Sequence, residues 1–473
     1  MAKANYLLLI VLVMGLLIQC KPGITGTPKP NEPPNTTLAN IPPENDPTNP
    51  YFALVTLSWD GEDSDGYIVG YKYRYITYHL VRGDSIVFDW DSTGETQKTI
   101  PFESSDSINL QKFEVKAIDN EGAEDPTPAT RLFYTAMVQT PQTNIITPND
   151  GDTLFALNYT IDTWPGVTVI FSGSDPDGEV IDFAWQVDTM TSWEWTEDTI
   201  IILGPAYFAT PLAGTHTIRV KARDNTMVED LTPAEIHINL VVPSFDRGII
   251  VVDETKDGTG YAENPSDEQV DEFYQSIIER NFTAWDYATN GIPPKTELGK
   301  YRLLIWHADD PKDHHFMDHS DYIAEYLNIG GNLWLIGWRI LYSFDPNFPW
   351  EYESGSFPYD YLHIKDANEQ TKMDFTGAEG VSGYPSIVVD SAKIYPFRKG
   401  KLPNIETMTP GPFEVPILTF NSASADTAFQ GKPCAVKYSG TTYNVVFFGF
   451  PLFYIRQEEA KALADKVLSA FGE

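Results

Sequence analysis

Apolar and polar residues follow three different patterns along the chain. Residues 7–18 form an apolar run, and Pro and Gly dominate the segment that follows. Apolar residues then alternate with polar ones, as at Tyr71, Tyr73 and Tyr75, and this period of two predicts strands with one buried face. From residue 244 onward, short apolar runs alternate instead with segments of helical spacing. The patterns therefore predict an N-terminal signal, an all-β region and a C-terminal α/β region.

The N-terminal run has the layout of a secretory signal peptide. It follows Lys3 and contains 12 residues, whereas a helix that crosses a bilayer needs about 20. A basic start and a short apolar core predict a signal peptide over 1–19. The residues Leu17-Ile18-Gln19-Cys20 resemble the lipobox of bacterial lipoproteins, which implies lipidation of Cys20. We therefore expect an exported protein, anchored by its lipid to the cell envelope, at the outer membrane or cell surface, with a Pro-rich tether over 20–32.

Two parts of the alternating region repeat each other. The matched pairs lie about 107 residues apart, and they are Thr56–Tyr75 with Thr168–Val187, Phe113–Ala129 with Ile218–Ala234, and Pro34 with Pro141. Matches at a nearly constant offset indicate tandem homologous modules over 33–138 and 139–243. Aromatic and β-branched enrichment between Gly, Asp and Pro turns predicts two all-β sandwiches.

The turn SDPDG and the strand ends VKAIDN and VKARDN carry a family resemblance. They resemble the fibronectin type III and PKD-like groups of the immunoglobulin fold. The resemblance implies two immunoglobulin-like modules that act as a spacer or an adhesive stalk.

Each module also carries an acidic turn followed by Gly, and a further Asp at a later strand end. The acidic residues are Asp63, Asp65 and Asp119 in the first module, and Asp175, Asp177 and Asp224 in the second. Their hard oxygen atoms suit Ca²⁺. Asp in such turns also caps backbone N–H groups without any ion. The sequence leaves both interpretations open.

The C-terminal region, 244–473, predicts an α/β doubly wound domain with a mainly parallel sheet. Its segments include the buried run Gly248–Val252, a helix over Ser266–Arg280 with a Ser266–Gln269 capping box, and a final helix over Gln457–Phe471. The motifs KYRLLIW, GGNLWLIG and FFGFPLFYI resemble the class I glutamine-amidotransferase-like, flavodoxin-like fold.

That resemblance implies the fold but argues against the family's reaction. Catalytic members place a Cys nucleophile after the central strand and His-Pro-Glu after the last one. This chain reads Gly337-Trp338-Arg339 and Phe450-Pro451-Leu452 at those turns. Acyl chemistry needs an activated nucleophile and its base. We therefore expect a pseudoenzyme without catalytic residues, and a buried, inert Cys434.

A loop over Trp306–His319 holds four of the eight His residues. His315 and His319 are four apart, so with His307 and Asp310 they predict a site for a divalent transition metal. A metal with an open coordination position would allow hydrolysis. A solvated loop without metal is the alternative.

Nine aromatic residues lie within 338–361. Such side chains stack on sugars or anchor protein partners, and the candidates are Trp338, Trp350, Tyr352 and Tyr359. The alternative is that they pack a long loop onto its domain.

The net charge and the number of cysteines exclude further classes of protein. A net charge of −35 argues against nucleic-acid binding, which needs clustered Lys and Arg, and two Cys cannot form a disulfide framework. We expect a non-catalytic envelope lipoprotein whose stalk presents a head that binds a glycan or a protein. A metal-dependent hydrolase at 307–319 and a structural part of an envelope assembly are the alternatives.

Overall fold

The computed structural model describes residues 29–40, 42–256, 265–312, 314–424 and 428–473. The expected signal peptide, Cys20 and most of the tether lie outside these residues. No helix within the described ranges is long and apolar enough to cross a membrane.

Contacts between residues divide the chain into two units. The first unit runs through Gln142 and includes Gly173–Ile181 and Ala222–Leu231. The second comprises Thr143–Ser172, Asp182–Lys221 and Thr232–Glu473. The acidic turns of the second sandwich therefore belong to the first unit.

The first module is a β-sandwich of antiparallel strands. One sheet has the order β1-β2-β5 and the other β4-β3-β6-β7. Alternate residues of β3 and β6, among them Tyr73 and Phe113, pack around Trp59 in its core. The strands are β1 (Asn35–Leu38), β2 (Leu54–Glu62), β3 (Ile68–His79), β4 (Ser85–Thr93), β5 (Gln97–Pro101), β6 (Ile108–Asp119) and β7 (Ala129–Ala136).

The second module is also a β-sandwich. Its sheets have the orders β13-β10-β8 and β12-β11-β14-β15-β9, and the β9–β15 pair is parallel. The strands are β8 (Gln142–Thr147), β9 (Thr153–Phe155), β10 (Val167–Ser174), β11 (Val180–Val187), β12 (Glu194–Thr196), β13 (Ile200–Leu203), β14 (Gly214–Asp224) and β15 (Ala234–Val241). The two modules confirm the predicted tandem sandwiches.

The C-terminal region is built on a nine-stranded mixed sheet in the order β17-β16-β18-β19-β27-β26-β25-β22-β23. Neighbours from β17 to β27 are parallel, and neighbours from β27 to β23 are antiparallel. A separate sheet has the order β20-β21-β24. Its strands are β16 (Arg247–Asp253), β17 (Phe282–Asp286), β18 (Tyr301–Ala308), β19 (Asn332–Gly337), β20 (Trp350–Glu351), β21 (Ile364–Gln370), β22 (Phe375–Gly380), β23 (Ile387–Val388), β24 (Ile405–Pro410), β25 (Glu414–Ser422), β26 (Pro433–Ser439) and β27 (Asn444–Phe448).

The antiparallel half corrects the expectation of a mainly parallel sheet. Strands β25, β26 and β27 follow one another through short connections, and antiparallel neighbours need only such hairpins, whereas parallel ones need a crossover. Helices accordingly concentrate on the parallel half. They are α1 (Asp267–Ile277), α2 (Tyr287–Asn290), α3 (Lys295–Leu298), α4 (Ser320–Asn328), α5 (Ile340–Phe344), α6 (Phe357–Asp360) and α7 (Gln457–Phe471).

The sequence of helix α1 determines both where the helix begins and which of its faces packs on the sheet. The side chain of Ser266 accepts from Gln269 N and the Gln269 side chain accepts from Ser266 N, so the predicted capping box is confirmed. Val270 and Ile277 belong to the sheet's apolar core. Burying one such side chain contributes about 1.5–3 kcal/mol. This fixes α1 against the parallel strands.

Candidate functional site

An acidic cleft lies between helix α1 and the strands β16 and β17. It encloses about 550 Å³ and is lined by Val251, Asp253, Glu268, Asp271, Glu272, Tyr274, Gln275, Ser276, Phe282, Ala284, Trp285, Asp286, Asn290 and His307. This volume is within the range of small-molecule sites. Five of these residues are acidic, and none of the described lining residues is Lys or Arg. The cleft is therefore a concentration of hydrogen-bond acceptors and negative charge.

The floor of the cleft is a buried polar network. His307 Nδ1 lies 3.4 Å from Asp253 Oδ1 and 3.2 Å from Asp309 Oδ2. The Tyr274 hydroxyl donates to Asp309 Oδ2 at 2.8 Å, and its ring stacks on His307 with centroids 3.6 Å apart. Phe453 N donates to Asp309 Oδ1 at 2.9 Å. These contacts hold the imidazole in one orientation beneath the cleft.

Burial changes the proton affinities of this floor and of the neighbouring Glu254, which does not line the cleft. It raises the pKa of Asp253 to about 6 and the pKa of Glu254 to about 8. Burial alone would lower the pKa of His307, but the charges of Asp253 and Asp309 outweigh it and raise that pKa. Glu254 accepts from Trp306 Nε1 at 2.6 Å and from His315 N at 3.2 Å. Groups with such shifted pKa values are a recurrent property of functional sites.

The rim of the cleft combines exposed acids with an aromatic ring. Glu268, Asp271 and Glu272 lie on α1 and are exposed. Trp285 is half-buried, and its indole Nε1 donates to Gly291 O at 2.8 Å. Asp286 caps α2 by accepting from Thr289 N. The Trp285 ring is therefore fixed while part of it stays accessible.

The predicted transition-metal residues do not converge. His307 lies in the cleft floor, whereas His315 stacks on Tyr287 and His319 hydrogen-bonds with the Tyr287 hydroxyl at 2.8 Å. The Asp310 carboxylate accepts from Lys312 N. Across the described ranges, no three His, Cys, Asp or Glu side chains form a group that would hold a metal ion. His315 and His319 both pack against Tyr287, whereas His307 stacks on Tyr274 beneath the cleft, so the three imidazoles do not share one centre.

The predicted aromatic ligand-binding residues are mostly internal. Trp338 is fully buried, with Nε1 donating to Pro403 O, and Trp350 is 2% exposed. Tyr352 is half-buried, and burial raises the pKa of its hydroxyl. Tyr359 is 39% exposed. The two tryptophans pack the loop onto its domain, which corrects the expectation that they face a ligand. A second cleft of about 550 Å³ lies beside Trp350, whose ring is buried.

The turn after β19 carries an arginine in a left-handed conformation. Arg339 has φ 76°, and its Nε lies 2.6 Å from Glu369 Oε1 in a pair whose Glu369 side chain is buried. Its guanidinium lies 3.6 Å from the Tyr342 ring centroid.

Cys434 lies on β26, fully buried, and burial raises the pKa of its thiol. A buried thiol with a raised pKa is a poor nucleophile.

The acidic turn of the first module is well supplied with donors. Asn31 Nδ2 donates to Asp119 Oδ2 at 2.6 Å, and Glu32 N donates to Asp65 Oδ2 at 3.2 Å. The hydrogen bond from Asn31 lowers the pKa of Asp119. Asp63 Oδ1 accepts from Asp65 N, although Asp63 Oδ2 has no partner.

The acidic turn of the second module is less well supplied. Asp177 Oδ2 accepts from Gln139 N at 3.0 Å, and Asp224 Oδ1 accepts from Thr226 N and Val228 N. Burial, together with the charges of Asp177 and Asp224, raises the pKa of Asp175 to about 6. In each module, the predicted calcium residues therefore lie within one turn region. Those of the first module accept more hydrogen bonds than those of the second.

The chain shows similarity to solved structures alone. No family model and no curated protein matches the chain. The fibronectin(III)-like modules of Clostridium thermocellum CbhA are 14% identical over 44% of this chain and 95% of theirs, with a TM-score of 0.21. A β-galactosidase from the Antarctic haloarchaeon Halorubrum lacusprofundi is 16% identical over 48% of this chain and 31% of its own, with a TM-score of 0.32.

A two-domain fibronectin type III segment of chicken tenascin is 9% identical over 44% of this chain and 99% of its own, with a TM-score of 0.15. Scores this low carry no argument about function. The modules are fibronectin type III-like on their own strand order, three strands against four in the first module.

The sequence interpretation missed most of the cleft. Asp253 and Glu254 directly follow the apolar run of β16, and Tyr274 lies on the buried face of α1. Their position in the sequence could have indicated the site, because polar residues that directly follow a buried parallel strand lie at the sheet edge where such sheets bind ligands.

Proposed function

We propose that this chain is an envelope lipoprotein whose two sandwiches carry a saccharide-binding head. The binding site is the acidic cleft between α1, β16 and β17, and its ligand is a neutral or amine-bearing saccharide. The observation that carries the proposal is the lining of the cleft, with five carboxylates and an accessible ring at Trp285.

Charge selects the ligand class. Ionised carboxylates are acceptors only, so they pair with hydroxyl and ammonium donors. A uronic acid, sulfate or phosphate group would be repelled by Glu268, Asp271 and Glu272 and would find no Lys or Arg among the described lining residues. Hydroxyl groups of a neutral sugar and the ammonium of an amino sugar both suit this set. The lining therefore favours a ligand without negative charge.

Trp285 supplies the apolar part of the recognition. Its hydrogen bond to Gly291 O holds the indole at the edge of the cleft, and a flat ring of this kind stacks on the apolar face of a sugar. A ring that is already oriented loses little entropy on binding. The expected contribution to affinity is about 1–2 kcal/mol.

We also propose that the head is a flavodoxin-like domain related to the glutamine-amidotransferase-like proteins and lacking their chemistry. Its parallel strands have the order second, first, third, fourth, fifth along the chain. In that order, ligands bind outside the carboxyl ends of the first and third strands. Those strands are β16 and β18, which end near Asp253 and His307. Arg339 stands where catalytic relatives place their nucleophile.

Anchoring through Cys20 is the third part of the proposal, and it rests on the lipobox-like residues 17–20. Metabolic labelling with a fatty acid during expression in a bacterial host tests it. We expect label on the wild type and none on Cys20→Ala. Equal labelling of both would overturn the lipid anchor without touching the cleft.

The ligand class is tested by screening the purified full chain against neutral, amine-bearing and anionic oligosaccharides. We expect binding among the first two groups and none among the anionic ones. Binding restricted to anionic sugars, or to none of the three, would overturn the saccharide proposal.

A further inference from the structure

The two sandwich modules carry the same acidic turn with different neighbours. In the first module, the side-chain amide of Asn31 donates to Asp119 Oδ2 at 2.6 Å. Tyr67 N donates to Asn120 Oδ1 at 2.8 Å. Asp119 Oδ2 and Asn120 Oδ1, at the end of β6, therefore each accept a hydrogen bond from another part of the chain.

The second module places an apolar residue where the first has this amide. The offset of 107 pairs Asn31 with Val138 and Glu32 with Gln139. The contacts agree with this pairing, because Glu32 N donates to Asp65 and Gln139 N donates to Asp177, its counterpart. The side chain of Val138 has no donor to offer.

Four buried oxygen atoms of the second module have no hydrogen-bond partner, whereas the first module has one, Asp63 Oδ2. The four atoms are Asp175 Oδ2, Asp177 Oδ1, Asp224 Oδ2 and Asn225 Oδ1. Asp224 is 0% exposed, so its unpaired oxygen is shielded from bulk solvent. Leaving a buried acceptor unpaired costs about 1–3 kcal/mol each. Four such atoms in one turn region indicate a ligand that accepts electron pairs.

The geometry of Gly178 shows that two of these oxygens face the same point. A Cβ atom on Gly178 would lie 2.5 Å from Asn225 Oδ1 and 2.6 Å from Asp175 Oδ2. Gly66 of the first module has the same two neighbours, Asn120 and Asp63, so the modules share this arrangement and differ in the donor that Asn120 Oδ1 has and Asn225 Oδ1 lacks. Asn225 N donates to Glu179 O at 2.9 Å, which brings the end of β14, with Asp224, beside this turn. Carboxylate and amide oxygens gathered around a glycine, with no donor among them, suit a hard cation.

We infer that the second module binds one Ca²⁺ through Asp175, Asp224 and Asn225, with Asp177 adding negative charge. The first module does not, because the Asn31 amide already satisfies the corresponding carboxylate. Three acidic or imidazole groups do not surround one point anywhere in the described ranges. The ion therefore completes its shell with amide and water oxygens, which the flexible coordination of Ca²⁺ permits. This site shares no residue with the saccharide cleft, and its fate does not depend on that proposal.

Calorimetric titration of the chelator-treated full chain with CaCl₂ tests the inference. We expect one Ca²⁺ per chain and a rise of about 3 °C in the melting temperature at saturating calcium. Val138→Asn, which supplies the amide that the first module has, should weaken calcium binding at least tenfold while the chain still folds. Asp175→Asn should do the same.

The matched control is Asp63→Asn, the same change at the acidic turn of the first module. It should leave stoichiometry and affinity unchanged. Equal loss in Asp63→Asn and Asp175→Asn would overturn the inference, because it would indicate screening of the net negative charge. No binding by the wild type, or equal binding of Mg²⁺ at the same concentration, would overturn it as well.

Discussion

The first sandwich and the C-terminal head hold their acidic groups in opposite ways. In the sandwich, backbone N–H groups donate to Asp106, and this lowers its pKa. Burial alone would raise the pKa of Asp125, but hydrogen bonds from Thr127 and Thr36 outweigh it and lower it. In the head, burial raises the pKa values of Glu254 and Glu406 to about 8.

The different pKa shifts suit different roles for the two regions, a spacer for the sandwich and a binding domain for the head. A carboxylate with strong donors stabilises its turn at neutral pH, which suits a spacer. A buried carboxylate with a raised pKa costs stability when it ionises, and such groups are frequent at functional sites. Asp253 is one that lines the proposed cleft, whereas Glu254 and Glu406 do not line it. The acidic turn at Asp175 is the exception within the sandwiches, and it is the place where we infer an ion.

The largest expected effect compares one ion pair from each region. Arg339→Ala leaves the fully buried Glu369 carboxylate with a hydrogen bond from Asn404 Nδ2 but without its cation, so we expect a loss of about 3–5 kcal/mol in the free energy of unfolding. Lys72→Ala removes a partner of Glu124 in the first sandwich, where both side chains are 34% exposed. There we expect less than about 1 kcal/mol. Chemical denaturation of both variants measures the two losses, and equal losses would break the comparison.

The second effect is pH dependence of opposite sign. Glu254 and Glu406 have folded pKa values above their ordinary value, so their ionisation destabilises the head as pH rises from about 4.5 to about 8. Asp106 and Asp125 have lowered pKa values, so their contribution is present above about 4 and is lost as pH falls below it.

Scanning calorimetry at several pH values checks these signs. The transition of the head is the one that Arg339→Ala moves, and its midpoint should fall by several degrees between pH 5 and pH 8.5. The transition of the first sandwich should stay nearly constant over that range. A head that gains stability with rising pH would contradict the assigned pKa directions.

A smaller effect isolates a single buried acid. Glu406 accepts from Leu341 N at 3.1 Å and from Tyr342 N at 2.8 Å at the start of α5. Glu406→Gln keeps one of the two accepting oxygens and removes the ionisable group, so the lost hydrogen bond costs stability at both pH values. Relative to wild type, we expect the variant to gain about 1 kcal/mol between pH 5 and pH 8.5. Urea midpoints at the two pH values measure it. Asp106→Asn, the control in the sandwich, should lose stability at both.

Sequence patterns predicted the architecture better than the site. The repeats and the alternation at Tyr71, Tyr73 and Tyr75 identified the sandwiches, because period-two burial is a local property of one strand. The antiparallel half of the head was missed, since the pairing of β25 with β22 joins distant segments. Strand pairing of that kind leaves little trace in local periodicity.

The site escaped prediction for a related reason. The His/Asp loop drew attention because its composition is unusual, yet only His307 lines the cleft. Asp253, Asp271 and Trp285 come from three separate elements, and each is ordinary in its own segment. Their meeting depends on how α1 and β17 pack beside β16, which is a tertiary property. Local composition identifies unusual segments, whereas a binding site is defined by side chains from separate elements that meet in space.

Titration of the saccharide that the screen identifies, against wild type, Trp285→Ala and Asp271→Asn, is the most direct test of the binding head. We expect binding to weaken about five- to thirtyfold for each variant, and to stay unchanged for Tyr359→Ala, which alters an exposed ring outside the cleft lining. Equal affinity of Trp285→Ala, Asp271→Asn and wild type would contradict it.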